Sequence, residues 1–508
     1  MTVTRIYLAV AVACGASCTF GYGTGYIGGI LALPSFNHHF GLDRLSRGER
    51  AAAQSLVVSI WLVGAFLGVI FALPVCSQLG RRRCLGISAA VYVVGAVLQL
   101  VPAGHSMSLF NIGRLLNGLG VGASTLATPL YIAEISPAEL RGMFMGAFQA
   151  TIQISALIGF WGAYVSHHSI PNTSVWQWKV PIVLQLVFGV PVLFGHLPLP
   201  ETPVWLAENV GVDAVTEALA WLRHETAQSP AVQEEAKTLH QTVLERRRME
   251  LLEPPKSLWV EVKRASIRKR LFCGIGMMAL MTLSGTNALN FFTPIIFQSA
   301  GFTSTSASLF LTGLFGLSKL LASLTLMFYV VRVRGHRFWI MLASGVCTVS
   351  LLVLAFCVRS FDAAKATTAD EEELSSYTVP GIVACLMVFV FAFFFGLGHG
   401  PLSWNICAEI FPPHISTACC TITTSTQWFF QIINAMLTPF LLNSAGWVTW
   451  LIFAGVNAFT LIWCMVYLPE TKGVSPGKDM DSVFGGDKES PSDNIQRGLS
   501  ETAPLLVT

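Results

Sequence analysis

About twelve apolar runs, each long enough to cross a lipid bilayer, constrain this chain more than any other feature of its sequence. Only 12% of the residues are charged, against about 25% in soluble domains. Lipid offers the backbone no hydrogen bonds, so spanning segments form helices or closed barrels, and barrel strands need only about ten residues. The sequence therefore predicts an all-α membrane protein with twelve transmembrane helices. The runs are 7–33, 53–75, 84–102, 108–131, 143–166, 179–198, 271–299, 308–331, 338–357, 380–407, 417–442 and 447–468.

Basic residues are concentrated in loops on one side of the predicted membrane. Arg81–Arg83 follow the second run, Arg332–Arg337 follow the eighth, and many more lie in 201–270. Cytoplasmic loops carry an excess of lysine and arginine, so this side is predicted to be cytoplasmic, with both termini inside. The opposite side carries a sequon at Asn172, a candidate glycosylation site. So short a loop favours the alternative that Asn172 lies too close to the membrane to be modified.

The chain repeats itself. The motif "EISP" at Glu134 recurs as "EIFP" at Glu409, and "PET" at Pro200 recurs at Pro469. Order and spacing are nearly kept, which indicates two six-helix halves in parallel orientation, a transporter architecture. The predicted division is an N-terminal half (1–199), a helical cytoplasmic linker (200–270), a C-terminal half (271–469) and a disordered cytoplasmic tail (470–508).

Seven motifs in order lie at the ends of the predicted helices. Together they resemble the sugar porters of the major facilitator superfamily. "TGLFGLSK" (312–319) is similar to fungal members, quinate-type permeases in particular. The resemblance implies a substrate site at mid-membrane, about which the two halves rock. The motifs are "GRLLNGLGVG" (113–122), "PLYIAEISPAELRG" (129–142), "PETPVWL" (200–206), "LSGTNALNFFTPIIF" (283–297), "GHGPLSW" (398–404), "AEIFP" (408–412) and "PETKG" (469–473).

Charged residues of these motifs are predicted to form ionic latches at the cytoplasmic helix ends. They are Arg114, Glu134, Arg141 and Glu409. Latches that close in one state and part in the other would supply a two-state gate; the alternative is that they only hold loops in place. The family pattern is incomplete here, which predicts a thinner latch network. Ser77, Val204, Arg332 and Ser416 stand where the family usually has an acid, an arginine, an acid and an arginine.

Polar residues of the predicted spans are candidates for substrate binding. The resemblance assigns this role to Gln149, Asn287, Asn290, Trp404, Gln427 and Trp428. Amide side chains donate and accept hydrogen bonds, which suits a ring of hydroxyls. Two other pairs differ from hexose-transporting relatives, because Met281-Thr282 replaces two glutamines and Phe291-Phe292 replaces two tyrosines. A neutral hexose is therefore less expected than the family alone suggests.

Lys319 places a cation in the middle of the eighth run. A charge at mid-bilayer costs roughly 2.5–3.5 kcal/mol and usually faces a cavity or a partner. One interpretation is that Lys319 binds a substrate carboxylate, as a carrier of polyhydroxylated acids would require. The other is a lysine that snorkels to the interface or is neutral when buried.

Gly23 stands where the resemblance places the proton-accepting aspartate of proton-coupled members. Glycine cannot titrate, so the sequence favours a facilitator. The alternative proton carrier is His399, whose ordinary pKa near 6.5 suits the role. Its other interpretation is a neutral, hydrogen-bonded histidine beside a Gly-Pro hinge.

The predicted function is transmembrane transport of sugars or sugar-like polyhydroxylated small molecules, a sugar acid or quinate-like acid among them, by alternating access. The alternatives are a proton-coupled symporter using His399, a metabolite exporter and a non-transporting nutrient sensor. No nucleophile–base pair or metal-ligand spacing is present in the sequence, so neither an enzyme, a cofactor nor a metal is predicted. The predicted partners are the substrate and the lipid bilayer, with no nucleic acid, and the chain is predicted to be a monomer in the plasma membrane.

Overall fold

The computed structural model describes residues 4–101, 106–252, 262, 264–299, 304–326, 329, 333–367, 379–412, 415–471, 480 and 483–484, and within them it contains helices and no strand. The helices are α1 (Thr4–Ala32), α2 (Pro34–His39), α3 (Arg47–Gln78), α4 (Arg81–Leu100), α5 (Ser108–Ile135), α6 (Ala138–Ser169), α7 (Trp176–Gly195), α8 (Pro203–Asn209), α9 (Val212–Arg223), α10 (Pro230–Leu252), α11 (Ala265–Leu283), α12 (Thr286–Ser299), α13 (Thr305–Thr325), α14 (His336–Thr367), α15 (Val379–Leu397), α16 (His399–Glu409), α17 (Ser416–Ala445) and α18 (Val448–Tyr467).

Twelve spans follow from these helices, because α11 with α12 and α15 with α16 each form one broken span. In the described part of the chain, ten spans are long and apolar enough to cross a membrane by composition alone. The other two, α5 and α17, are rich in Gly, Ser and Thr. The neighbours of α5 shelter it, since a Cβ at Gly118 or Gly122 would lie 2.0 Å from a carbonyl oxygen of α3. The predicted all-α, twelve-helix membrane fold is confirmed.

Two spans break in the middle of the membrane. Between α11 and α12 the chain passes through Gly285, whose φ of +96° favours glycine. Between α15 and α16 it passes through Gly398, where a Cβ would lie 2.7 Å from the carbonyl oxygen of Trp339. Irregular backbone at this depth is tolerated only where protein or a cavity surrounds it. Both breaks therefore point to the place where a substrate would bind.

Helix packing differs between the two sides of the membrane. We call the side that carries Arg81–Arg83, Arg337 and the linker helices α8–α10 the basic side. On the opposite side, one hydrophobic cluster joins both halves, with Phe36 and Leu354 among its members. On the basic side each half has its own cluster. The halves therefore meet on the opposite side and separate on the basic side, and the space between them faces the basic side.

Candidate functional site

A small cavity lies between the two halves. The N-terminal half contributes residues of α1, α5 and α6. The C-terminal half contributes residues of α11–α13 and α15–α17, including both sides of each helix break. The lining is Phe20, Thr24, Thr125, Phe148, Gln149, Ile152, Gln153, Ala156, Met281, Thr282, Thr286, Asn287, Asn290, Lys319, Phe395, Gly396, Gly400, Pro401, Trp404, Gln427 and Gln431.

Six of the eight predicted binding residues line this cavity. They lie between positions 149 and 427 of the sequence, and the fold brings them together from five separate helices. They are Gln149, Asn287, Asn290, Lys319, Trp404 and Gln427.

A chain of amides crosses the C-terminal wall of the cavity. Gln427 Nε2 donates to Gln431 Oε1 at 3.4 Å, and Gln431 Nε2 donates to Asn287 Oδ1 at 3.1 Å. Asn287 in turn donates to the Thr282 carbonyl oxygen at 3.3 Å. Sequence analysis missed Gln431, although its spacing of four residues from Gln427 places both on one helix face. Gln153 was missed in the same way, four residues after Gln149.

Lys319 is the only cation that lines the cavity among the described residues. Its Nζ donates to Asn290 Oδ1 at 3.0 Å and lies 5.7 Å from the centre of the Phe315 ring. The residue is 7% exposed. No carboxylate within the described ranges forms an ion pair with it, and no aspartate or glutamate lines the cavity. Lys319 is therefore a buried amine at the cavity wall, held there by Asn290.

Two predicted binding residues lie outside the cavity. His399 is buried, with its Nε2 2.9 Å from Ser344 Oγ on α14 and its ring stacked on Phe395, which does line the cavity. Trp428 is fully buried and packs edge-on against Phe20 of α1, with ring centres 5.2 Å apart. Both residues pack behind the cavity lining. His399 on α16 and Trp428 on α17 are each turned away from the cavity.

The space beside Gly23 is occupied by a neighbouring side chain. A Cβ at this position would lie 2.6 Å from the indole ring of Trp61. A carboxylate here would require the indole to move, so the conformation described has no room for one. Phe291 and Phe292 are buried, and the backbones of α1 and α12 approach closely here, since a Cβ at Gly28 would lie 2.6 Å from the Phe291 carbonyl oxygen. This contact closes the opposite side.

The predicted position of Arg114 is wrong. Arg114 lies in the second turn of α5 and Glu134 lies in its last turn. The two are about 30 Å apart at 1.5 Å per residue, so they cannot both mark cytoplasmic helix ends. The Arg114 side chain is fully buried, donates to Tyr26 Oη at 2.9 Å and lies over the ring of Trp61. It therefore belongs to the interior of the N-terminal half.

Glu134 belongs to a group of residues that we call the N-terminal latch: Arg81, Glu134, Glu201 and Thr202. Arg81 Nη2 lies 2.9 Å from Glu134 Oε1, and the side chains are 9% and 14% exposed. Thr202 donates to the other oxygen of Glu134. Glu201 accepts the backbone N–H of Arg81 at 2.9 Å, and so caps the start of α4. The group ties α4, α5 and the start of α8 together, since Thr202 is the N-cap of α8.

Glu409 belongs to an equivalent group, the C-terminal latch: His336, Glu409, Glu470 and Thr471. Glu470 accepts the backbone N–H of His336 at 2.9 Å, as Glu201 does for Arg81. His336 Nδ1 lies 3.3 Å from Thr471 Oγ1 and 4.0 Å from Glu409 Oε2. Burial raises the pKa of the Glu409 carboxyl to about 7.

Each of the polar contacts named above for the two latches joins two residues of the same half. Ser416, where the resemblance leads one to expect an arginine, contacts Cys420 one turn further along α17. The side chain of Arg141 and the whole of Arg332 lie outside the described residues. These contacts tie helix ends together within each half.

Comparisons with known proteins agree with this architecture. The profile of the family described as Sugar (and other) transporter matches residues 8–482. A probable quinate permease of Neosartorya fischeri is 31% identical, over 94% of this chain and 87% of the relative. The quinate permease of Neurospora africana is 29% identical, over 94% and 89%.

Solved structures show the same fold. The proton:xylose symporter XylE bound to 6-bromo-6-deoxy-D-glucose matches with a TM-score of 0.75 and 20% identity, over 95% of this chain and all of that chain. The partially occluded inward-open form of XylE from E. coli matches with a TM-score of 0.72 and 20% identity, over 92% and 100%. At this identity the likeness concerns the fold alone.

Proposed function

Because the chain belongs to the family of sugar (and other) transporters, we propose that it carries a polyhydroxylated carboxylic acid across the membrane by alternating access. It is a multi-pass membrane transporter of sugars or sugar-like molecules, and its relatives are transporters rather than enzymes. That the substrate is a carboxylic acid is what we propose beyond this family assignment.

The observation that carries the proposal is Lys319 at the cavity wall beside a chain of amides. A ring of hydroxyls would exchange hydrogen bonds with Gln149, Asn287 and Gln427, which both donate and accept. A carboxylate would compensate the ammonium group that Asn290 holds in place. The names of the fungal relatives, quinate permeases, describe substrates of this chemical class.

We propose facilitated transport rather than proton symport. The position that would hold a proton-accepting acid is Gly23, and Trp61 fills the space beside it. His399 lies behind the lining and not in the cavity, which does not favour it as a proton carrier. In a facilitator the substrate gradient sets the direction, so import and export use the same site.

The topology proposed from the sequence fits this role. The basic side is the cytoplasmic side, both termini lie inside, and the protein is a monomer in the plasma membrane. The division at 199, 270 and 469 gives two halves that move as units, each tied by its own latch. Asn172 then lies outside the cell, exposed in the short loop 170–175.

Uptake in a transporter-deficient host tests the proposal. Radiolabelled quinate, galacturonate and glucose are supplied at two pH values, with and without a protonophore, and the membrane potential is clamped. We expect saturable uptake of at least one acid and little uptake of glucose. The protonophore should not reduce uptake of the acid. Saturable micromolar uptake of glucose alone would contradict the acid assignment. Protonophore-sensitive uptake would contradict facilitation.

A further inference from the structure

A second candidate site lies on the outer surface of the C-terminal half, far from the central cavity. An apolar groove follows the seam between α11 and α18, past Phe272, Ala279 and Ile462. At the basic side, Phe272 and Tyr467 also line a hollow whose wall holds three cations. The cations are Arg268, Lys269 and Arg337. The groove and the hollow therefore form one continuous surface with an apolar stem and a basic mouth.

The groove exists because the two helices touch at a small residue and leave apolar side chains on both flanks. A Cβ at Gly276 would lie 2.4 Å from the ring of Trp463, so α11 and α18 are in contact there. Phe272 and Ile462 remain 52% and 60% exposed beside this contact. Among the described residues, no charged side chain lines the groove. An extended hydrocarbon chain suits such a surface inside a bilayer.

The cations of the hollow are not neutralised by its own lining, which contains no acid among the described residues. Arg268 and Lys269 are exposed in the first turn of α11, and within the described ranges neither forms an ion pair. Arg337 Nη2 donates to the Met465 carbonyl oxygen at 2.6 Å, which fixes its guanidinium at the end of α18. The nearby Glu470 already caps α14.

The corresponding seam of the N-terminal half, between α1 and α7, differs at its basic mouth. A Cβ at Gly15 of α1 would lie 3.0 Å from Val192 of α7, and a Cβ at Gly195 would lie 3.2 Å from Val12. The basic residue at its mouth, Arg5, is covered by Trp221 of the linker helix α9, 5.6 Å from the ring centre. The cation at the mouth of the N-terminal seam is therefore covered by the linker, whereas Arg268 and Lys269 at the mouth of the α11–α18 groove are exposed.

We propose that this groove binds an anionic phospholipid. The phosphate lies on Arg268, Lys269 and Arg337, and one acyl chain follows the α11–α18 seam. Basic pockets at helix seams on the cytoplasmic side meet the leaflet that is rich in anionic lipids. A zwitterionic headgroup would leave the three cations without a matching net charge, so the site discriminates by charge.

Native mass spectrometry of the purified full-length protein tests the proposal, with phosphatidylglycerol and phosphatidylcholine of the same acyl chains. We expect phosphatidylglycerol to bind more tightly. Arg268→Gln and Lys269→Gln should each weaken it about 5-fold, and the double variant about 30-fold. The matched control, Arg83→Gln with Lys237→Gln, removes two exposed charges from the same side and should change nothing. Equal losses in both double variants would overturn the site.

A second variant separates a lipid from a free phosphate. Ala279→Phe fills the groove without changing a charge, so it should weaken phosphatidylglycerol several-fold, while glycerol phosphate should bind weakly and be unaffected. If glycerol phosphate competes as well as the lipid does, the site is a simple anion site and the lipid assignment is wrong. Because binding is measured without substrate, the result does not depend on what the protein transports.

Discussion

The two halves hold their basic-side helix ends with the same arrangement of residues but with different chemistry. In the N-terminal latch, a buried guanidinium lies 2.9 Å from the carboxylate of Glu134. In the C-terminal latch, His336 occupies the place of Arg81, and its ring nitrogen lies 4.0 Å from Glu409, whose side chain is 44% exposed. Glu201 and Glu470 cap equivalent helices in both halves.

The difference assigns different roles to the halves. Arginine stays charged at every physiological pH, so the N-terminal latch is a permanent tie, whereas a histidine is charged only when protonated. The C-terminal half also holds Lys319, the amide chain of Gln427 and both broken spans. We infer that the N-terminal half is the rigid frame and that the C-terminal half carries substrate recognition and adapts its shape.

The largest effect is expected from Glu134→Gln. The variant leaves the buried Arg81 without a counter-charge, and removing one partner of a buried pair costs about 3 kcal/mol of folding stability. Glu409→Gln, the matched change in the other half, should cost under about 1 kcal/mol because the contact is long and partly exposed. Thermal unfolding of both variants in the same detergent checks the ranking. Equal losses would break the comparison between the latches.

A smaller effect is expected from His336→Arg, which gives the C-terminal latch the residue of the N-terminal one. A permanent cation beside Glu409 should stabilise the protein by about 0.5–1 kcal/mol, the value of a partly exposed pair. The same substitution in a Glu409→Gln background is the control, because there the gain should vanish. A gain that persists without the carboxylate would mean that the two residues do not interact.

The smallest effect is the pH dependence of the C-terminal latch. The pKa of Glu409 is raised to about 7 from 4.5, so the folded protein holds this proton more tightly than the unfolded chain does. The carboxyl therefore contributes stability that is full below about pH 4.5 and is lost as the pH rises to about 7. Between pH 5 and 7.5 the wild-type melting temperature should fall about 1 °C further than that of Glu409→Gln. Parallel curves would contradict the raised pKa.

Much of the architecture could be predicted from the sequence, because the length of a span and the charge of a loop can each be read from one continuous segment. The sequence predicts a span at 108–131, although the Gly and Thr content of α5 keeps its hydropathy below that of the ten more apolar spans. One of the two interpretations of Lys319 places it at a cavity, since burying a cation in lipid is costly, and the structure has it in the cavity lining.

The details that failed depend on helix direction and rotation. Arg114 was placed at the wrong end of α5, because a motif does not state the depth of its residues. Trp428 follows Gln427 by one residue, and the rotation of about 100° per residue turns it away from the cavity. His399 faces α14 and contacts Ser344, as the alternative interpretation of a hydrogen-bonded histidine beside a Gly-Pro hinge would place it. Gln431 was missed although it repeats Gln427 one turn later.

Substrate selectivity after changes in each half tests most directly whether recognition lies in the C-terminal half. Initial uptake of quinate and of its uncharged amide is measured at a clamped membrane potential in wild type, Lys319→Asn and Gln149→Asn. Lys319→Asn should weaken the acid by at least about 1.5 kcal/mol, roughly 10-fold, because a charged hydrogen bond is lost, and should leave the amide nearly unchanged. Gln149→Asn, in the N-terminal half, should weaken both compounds alike. Equal losses of acid and amide in Lys319→Asn would contradict the account and leave Lys319 as a structural cation.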